Sequence, residues 1–198
     1  MSKKVLIMYV LVISMFSISN ASWRVFGGYN MTDKLMSTYV NMDYQENSKG
    51  AVVYGIEYDG AFSLLDSLGI DSYTIGYKKS AKRSIPTMTW NGTIYTYTPV
   101  PAEVELDVIY LNLNYRIAGD IGVFAGVNYP GFKGKQPASA TYTQKIGFQV
   151  GVDYSLTEKL ILSAMYEHVD LGRTFPNVSG DIEGYVIGGF EVLLKYQF

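Results

Sequence analysis

His168 is the only histidine in 198 residues, and Asp170 follows it two positions later. An imidazole beside a carboxylate is the minimal arrangement of a general base, but catalysis also needs reacting partners within reach. One His and scattered carboxylates make a poor metal site, and the chain has no Cys to supply thiolate ligands. The glycines between Gly126 and Gly134 lack the spacing of a phosphate-binding loop, sit at a strand end and read as loop. No catalytic, metal or cofactor residue is assigned, and His168 reads as a surface side chain.

The elements that would carry such residues begin after an export signal. Lys3 and Lys4 precede a nearly unbroken apolar run from Val5 to Ile18, and Ser19-Asn20-Ala21 offers small residues for cleavage. The run is shorter than the ~20 residues of a spanning helix. Residues 1–21 are therefore read as a secretory signal peptide and 22–198 as one domain. Without Lys3 and Lys4, 14 of the 16 basic residues remain against 18 acidic ones, a net charge of about −4. That balance argues against nucleic acid as a partner. Without Cys, an exported chain must be held by its own core or by a membrane.

Alternation of apolar and polar residues, the signature of a strand with two unlike faces, recurs eight times. The expected strands are 22–30, 50–64, 70–79, 104–116, 121–129, 143–154, 160–171 and 183–198. On the sixth, Ile146, Phe148, Val150, Val152 and Tyr154 alternate with Lys145, Gly147, Gln149, Gly151 and Asp153. On the last, Phe190, Val192, Leu194, Tyr196 and Phe198 share one face opposite Glu191, Leu193, Lys195 and Gln197. Each run is near the ~9–11 residues of a strand crossing a bilayer. Seventeen Tyr residues after the signal suit strands and aromatic interface girdles.

Connections after the second, fourth and sixth strands are short; those after the first, third, fifth and seventh, about 31–49, 80–103, 131–142 and 172–182, are long. This lopsidedness is the layout of a transmembrane barrel, with periplasmic turns and extracellular loops. Within the second loop, Asn91-Gly92 marks a hairpin continuing the third and fourth strands. Pro86, Pro99 and Pro101 speak against two further spanning strands there.

With its carboxyl-terminal strand and "MYEHVDLGR" from Met165 to Arg173, the chain resembles the eight-stranded outer-membrane barrels of Gram-negative bacteria. That group contains the OmpA membrane domain, OmpX, Ail and the opacity proteins. The resemblance implies an all-β, eight-stranded antiparallel up-and-down barrel in the outer membrane. It implies that Phe190, Val192, Leu194, Tyr196 and Phe198 are read by the barrel assembly machinery. It leaves the long loops for adhesion, surface interaction or envelope integrity, with a host or phage ligand as partner. A lipid A-modifying enzyme would place Ser two residues after His, where Asp170 stands.

An eight-stranded barrel has room inside only for side chains. Arg24, Glu57, Asp59, Lys145, Asp153, Glu191 and Lys195, with Tyr110, Asn112, Asn114, Gln149 and Glu167, are expected inside. Arg24 and Lys195 should share the turn-side half with Asp59 and Asp153, forming a polar plug; buried charges without partners would be costly. The alternative, a small OmpW-like channel, calls for a lumen lined with apolar residues. Lys78, Lys79, Lys82 and Arg83 cluster where the third strand leaves the membrane. They read either as a solvated loop base or as a contact for lipopolysaccharide phosphates.

Overall fold

A computed structural model describes residues 21–31, 33–39, 42–48, 50–61, 67–81, 83–90, 95–134, 141–174 and 183–198. Residues 1–20 of the expected signal peptide, and Lys82, lie outside the described residues. Twelve strands occur among those described: β1 (Ser22–Asn30), β2 (Asp33–Tyr39), β3 (Met42–Ser48), β4 (Ala51–Gly60), β5 (Ser72–Ser80), β6 (Arg83–Trp90), β7 (Tyr95–Ala118), β8 (Ile121–Gly134), β9 (Thr141–Gln144), β10 (Gly147–Ser155), β11 (Leu160–Thr174) and β12 (Glu183–Gln197).

Eight of them close a barrel, each antiparallel to its neighbours. Around the wall the order is β12, β1, β4, β5, β7, β8, β10, β11 and back to β12. Closure is direct: Arg24 faces Gln197 and Asn30 faces Glu191 across β1 and β12. A closed barrel leaves no sheet edge within the membrane-spanning wall and satisfies the backbone without water. The fold is the all-β, eight-stranded antiparallel up-and-down barrel expected from the alternation.

The remaining strands prolong the wall at the loop end. The expected first loop contains a hairpin, with β2 pairing β3 from Asp33↔Ser48 to Tyr39↔Met42. Its sequence, such as "MDYQENS" on β3, is polar on both faces, so it carries no alternation to read. β6 pairs β7 from Arg83↔Val104 to Trp90↔Tyr95; the connecting residues 91–94, with Asn91 and Gly92, lie outside the described ones. The β6–β7 register slips between Ile85 and Thr87, at Pro86, where a missing N–H breaks the ladder. Pro99 and Pro101 lie above Val104, where β7 pairs with β6 but has not yet met β8.

At the opposite end two residues join β7 to β8 and four join β10 to β11. By contrast, β4 and β5 are separated by residues 61–71, longer than the short connection expected there, and 62–66 lie outside the described residues. Gly119, between β7 and β8, has φ +47° and Gly69, before β5, has φ +71°. Both are left-handed conformations that glycine adopts without a Cβ clash. Phe62 and Leu64, expected on the second strand, lie outside the described residues.

Candidate functional site in the barrel interior

Alternation along each strand divides the barrel into two chemistries. On the outer face of β7, Ile109, Leu111, Leu113, Tyr115 and Ile117 are exposed, and Ile121, Val127 and Tyr129 continue the belt on β8. The nine residues from Ile109 to Ile117 run about 30 Å along the strand, or roughly 20 Å vertically at a barrel tilt near 40°. Trp23, Tyr115, Tyr154 and Tyr196 lie on the outer face toward the turn end; Tyr29, Tyr54, Tyr129 and Phe190 lie toward the loop end. A continuous apolar surface of this size is untenable in water and is solvated by acyl chains.

Phe190, Leu194, Tyr196 and Phe198 are exposed on that surface, with Val192 half-buried among them. Gln197 N–H donates to the Lys159 carbonyl and Phe198 N–H to the Trp23 carbonyl, fixing the last residues to both neighbouring strands. His168 also faces outward, stacked on Phe148 with ring centroids 4.7 Å apart. Among the described residues no group of three or more His, Cys, Asp or Glu is arranged to hold a metal ion.

The interior holds two charged layers. In the layer nearer the loop end, Lys78 Nζ lies 2.7 Å from Glu167 Oε2 and 2.7 Å from Glu191 Oε2. Asn30 Nδ2 donates to Glu191 Oε1 at 3.1 Å. Beside them, Gln149 Nε2 donates to Asn112 Oδ1 at 2.7 Å. All of these side chains are buried. The 2.7 Å contacts have the length of tight charge-assisted hydrogen bonds, which offset the cost of desolvating the ions.

The layer nearer the turns is built on Glu57. Tyr110 donates its hydroxyl proton to Glu57 Oε2 at 2.7 Å. Arg24 Nη1 lies 3.4 Å from Glu57 Oε1, and Arg24 Nη2 pairs with Asp59. Lys195 Nζ is 3.3 Å from both Glu57 Oε1 and Asp153 Oδ2, and 5.3 Å from the Phe124 ring centroid. Asn114 Nδ2 donates to Ser72 and Thr74. Apolar residues fill the space among the charges: Phe26, Val53, Tyr110, Phe124, Met165 and Leu193 form one buried cluster.

The arrangement corrects two assignments. Lys145 is exposed, in the break between β9 and β10. Pairing of β10 with β8 stops at Gly147↔Asn128, and beyond it the chain follows β11 as β9, so strand parity no longer carries Lys145 inward. Lys78, expected in a surface cluster with Lys79, Lys82 and Arg83, is instead buried in the lumen. Consecutive strand residues point to opposite faces, and inward Thr74 and Gly76 set the parity that could have revealed it. Lys79 does face outward, 3.3 Å from Glu105. Arg83 lies on β6, beyond the barrel wall. The described interior therefore carries Arg24, Lys78 and Lys195 against Glu57, Asp59, Asp153, Glu167 and Glu191, with Lys78 in the place expected for Lys145.

No protein-family model matches the chain, and no curated protein is similar to it in sequence. Solved structures do share its architecture. The outer-membrane protein OprG of Pseudomonas aeruginosa aligns over 91% of this chain and 97% of its own, with 14% identity and a TM-score of 0.50. Neisserial surface protein A aligns over 91% of this chain and 100% of its own, with 12% identity and a TM-score of 0.50. At such identities the likeness speaks for architecture alone: the chain has the fold of the eight-stranded barrels of bacterial outer membranes.

Proposed function

We propose that this protein is an integral barrel of a bacterial outer membrane, with a blocked lumen, acting through its loop end in surface interaction or envelope integrity. The observation that carries the reading is the pairing of an apolar outer belt with an interior crossed by ion pairs. Such a body is soluble in lipid and obstructed along its axis. What differs from one such barrel to another is then what protrudes, here the β2–β3 and β6–β7 hairpins. In this reading the turn end faces the periplasm, export follows the signal peptide, and the carboxyl-terminal strand engages the assembly machinery. Lys79, Lys82 and Arg83 remain a contact for lipopolysaccharide phosphates, with Lys79 shared by Glu105.

Three measurements test it. Purified protein in planar bilayers should show no sustained conductance; a freely conducting wild-type barrel rejects the blocked lumen. A protease site inserted at Asn91-Gly92 should be cut on intact cells, while one at Gly119 should be protected; the reverse pattern rejects the orientation. Expressing cells should gain binding to at least one of matrix proteins, complement factors or lipopolysaccharide, and truncating residues 84–98 should remove it. The small-channel reading needs an open apolar lumen, whereas the described lumen is crossed by Lys78, Glu167 and Glu191.

A further inference from the structure

The interior is not equally covered along its length. Toward the loop end, Leu106 and Val108 on β7 and Val169 and Leu171 on β11 point inward, with Val169 and Leu171 at 0–1% exposure. Toward the turn end, the side chains of Arg24, Asp59 and Asp153 are 12%, 13% and 22% exposed. Among the described residues the interior is thus less covered at its turn end, the vestibule, than toward the loops.

Charge in this vestibule does not cancel. Glu57, Asp59 and Asp153 stand against Arg24 and Lys195, leaving one negative charge. Lys195 is stretched between two carboxylates at 3.3 Å each, longer than the ~2.7–2.9 Å of a tight charge-assisted bond. Lys78, by contrast, holds both of its carboxylates at 2.7 Å. Asp153 is accordingly the less fully neutralised.

A second observation falls at the same place. Ser163 is fully buried, and its Oγ has no hydrogen-bond partner; neither has Asp153 Oδ1. The two residues face each other directly across β10 and β11, on the inward face, which sets their Cβ atoms about 4.5–5.5 Å apart. Two unpartnered oxygens beside an uncancelled negative charge suit a small hard cation, which takes oxygen ligands. A single positive charge would balance the layer.

We propose that the turn-end vestibule binds one small monovalent cation of the alkali class between Asp153 and Ser163, next to Lys195. The site goes beyond the surface role proposed above and does not depend on it. Water completes the coordination, because the ladder occupies the neighbouring backbone carbonyls.

The test uses the full barrel in lipid nanodiscs, titrated with sodium chloride or with N-methylglucamine chloride at matched ionic strength, and followed by NMR. Sodium should produce saturable shifts at Asp153, Ser163 and the Lys195 ammonium; the bulky organic cation should not. Asp153→Asn should abolish saturation. Ser163→Ala, a smaller change that serves if Asp153→Asn loses the heat-modifiable folded form, should weaken sodium binding at least threefold. Equal shifts with both salts, or saturation unchanged in a folded variant of either residue, would overturn the site.

Discussion

Lys78 on β5 reaches Glu167 on β11 across the lumen, Nζ to Oε2 at 2.7 Å. The two strands lie four places apart in either direction round the eight-membered wall. Glu191 on β12 shares the same ammonium at 2.7 Å, so one lysine ties three strands together through the interior.

Removing one member of this triad strands its partners in a buried layer. Lys78→Ala should destabilise the folded barrel by about 3–5 kcal/mol, because two carboxylates lose their cation. Lys78→Met combined with Glu167→Gln and Glu191→Gln should recover most of the loss. Urea titration of the barrel in detergent, followed by heat-modifiable gel migration, measures both. Equal stability of Lys78→Ala and wild type would show that the strut contributes nothing.

Tyr110 depends on a glycine. Gly76 is its direct partner across β5 and β7, and a Cβ on Gly76 would lie 2.2 Å from Tyr110 Cζ. The ring that donates to Glu57 lies over the space this glycine leaves. Gly76→Val should prevent folding into the heat-modifiable form, and adding Tyr110→Ala should restore part of it, since the clash is between those two side chains. Wild-type folding of Gly76→Val alone would contradict the packing.

The lipid-facing belt predicts a depth dependence. Leu113→Arg, on the outer face in the middle of β7's apolar run, should cost about 2–4 kcal/mol, and Ile117→Arg at the turn end about 0–1 kcal/mol. Unfolding in lipid vesicles checks the difference. Equal costs at the two positions would mean that the belt does not sit at the bilayer's depth.

Lys145→Ala separates the exposed lysine from the interior ones. It should change stability by no more than about 0.5 kcal/mol, as for an ordinary surface side chain. Lys195→Ala should cost several times more, because Glu57 and Asp153 lose a shared cation. A large loss in Lys145→Ala would put that side chain back in the lumen.

Period-two alternation was enough to separate belt from interior wherever a strand had unlike faces. On β10 it put Phe148, Val150 and Val152 outside and Gln149 and Asp153 inside, and on β12 it put Leu194 outside and Glu191 and Lys195 inside. It failed where its premise lapsed. Lys145 sits where regular strand geometry is interrupted, and the polar β2–β3 hairpin has no apolar face to betray it. Lys78 escapes the pattern for another reason: adjacency in the chain suggests a cluster, whereas adjacent strand residues point to opposite faces.

The amino-acid pattern by itself determined the number of wall strands, their faces and the closed barrel, because each follows from local periodicity and from the need to satisfy backbone in lipid. Only the tertiary structure decided who meets whom inside. Lys78 and Glu191 are 113 positions apart, and Arg24 and Gln197 are 173 apart. Such meetings depend on the stagger of every ladder between them, which no local stretch of sequence encodes.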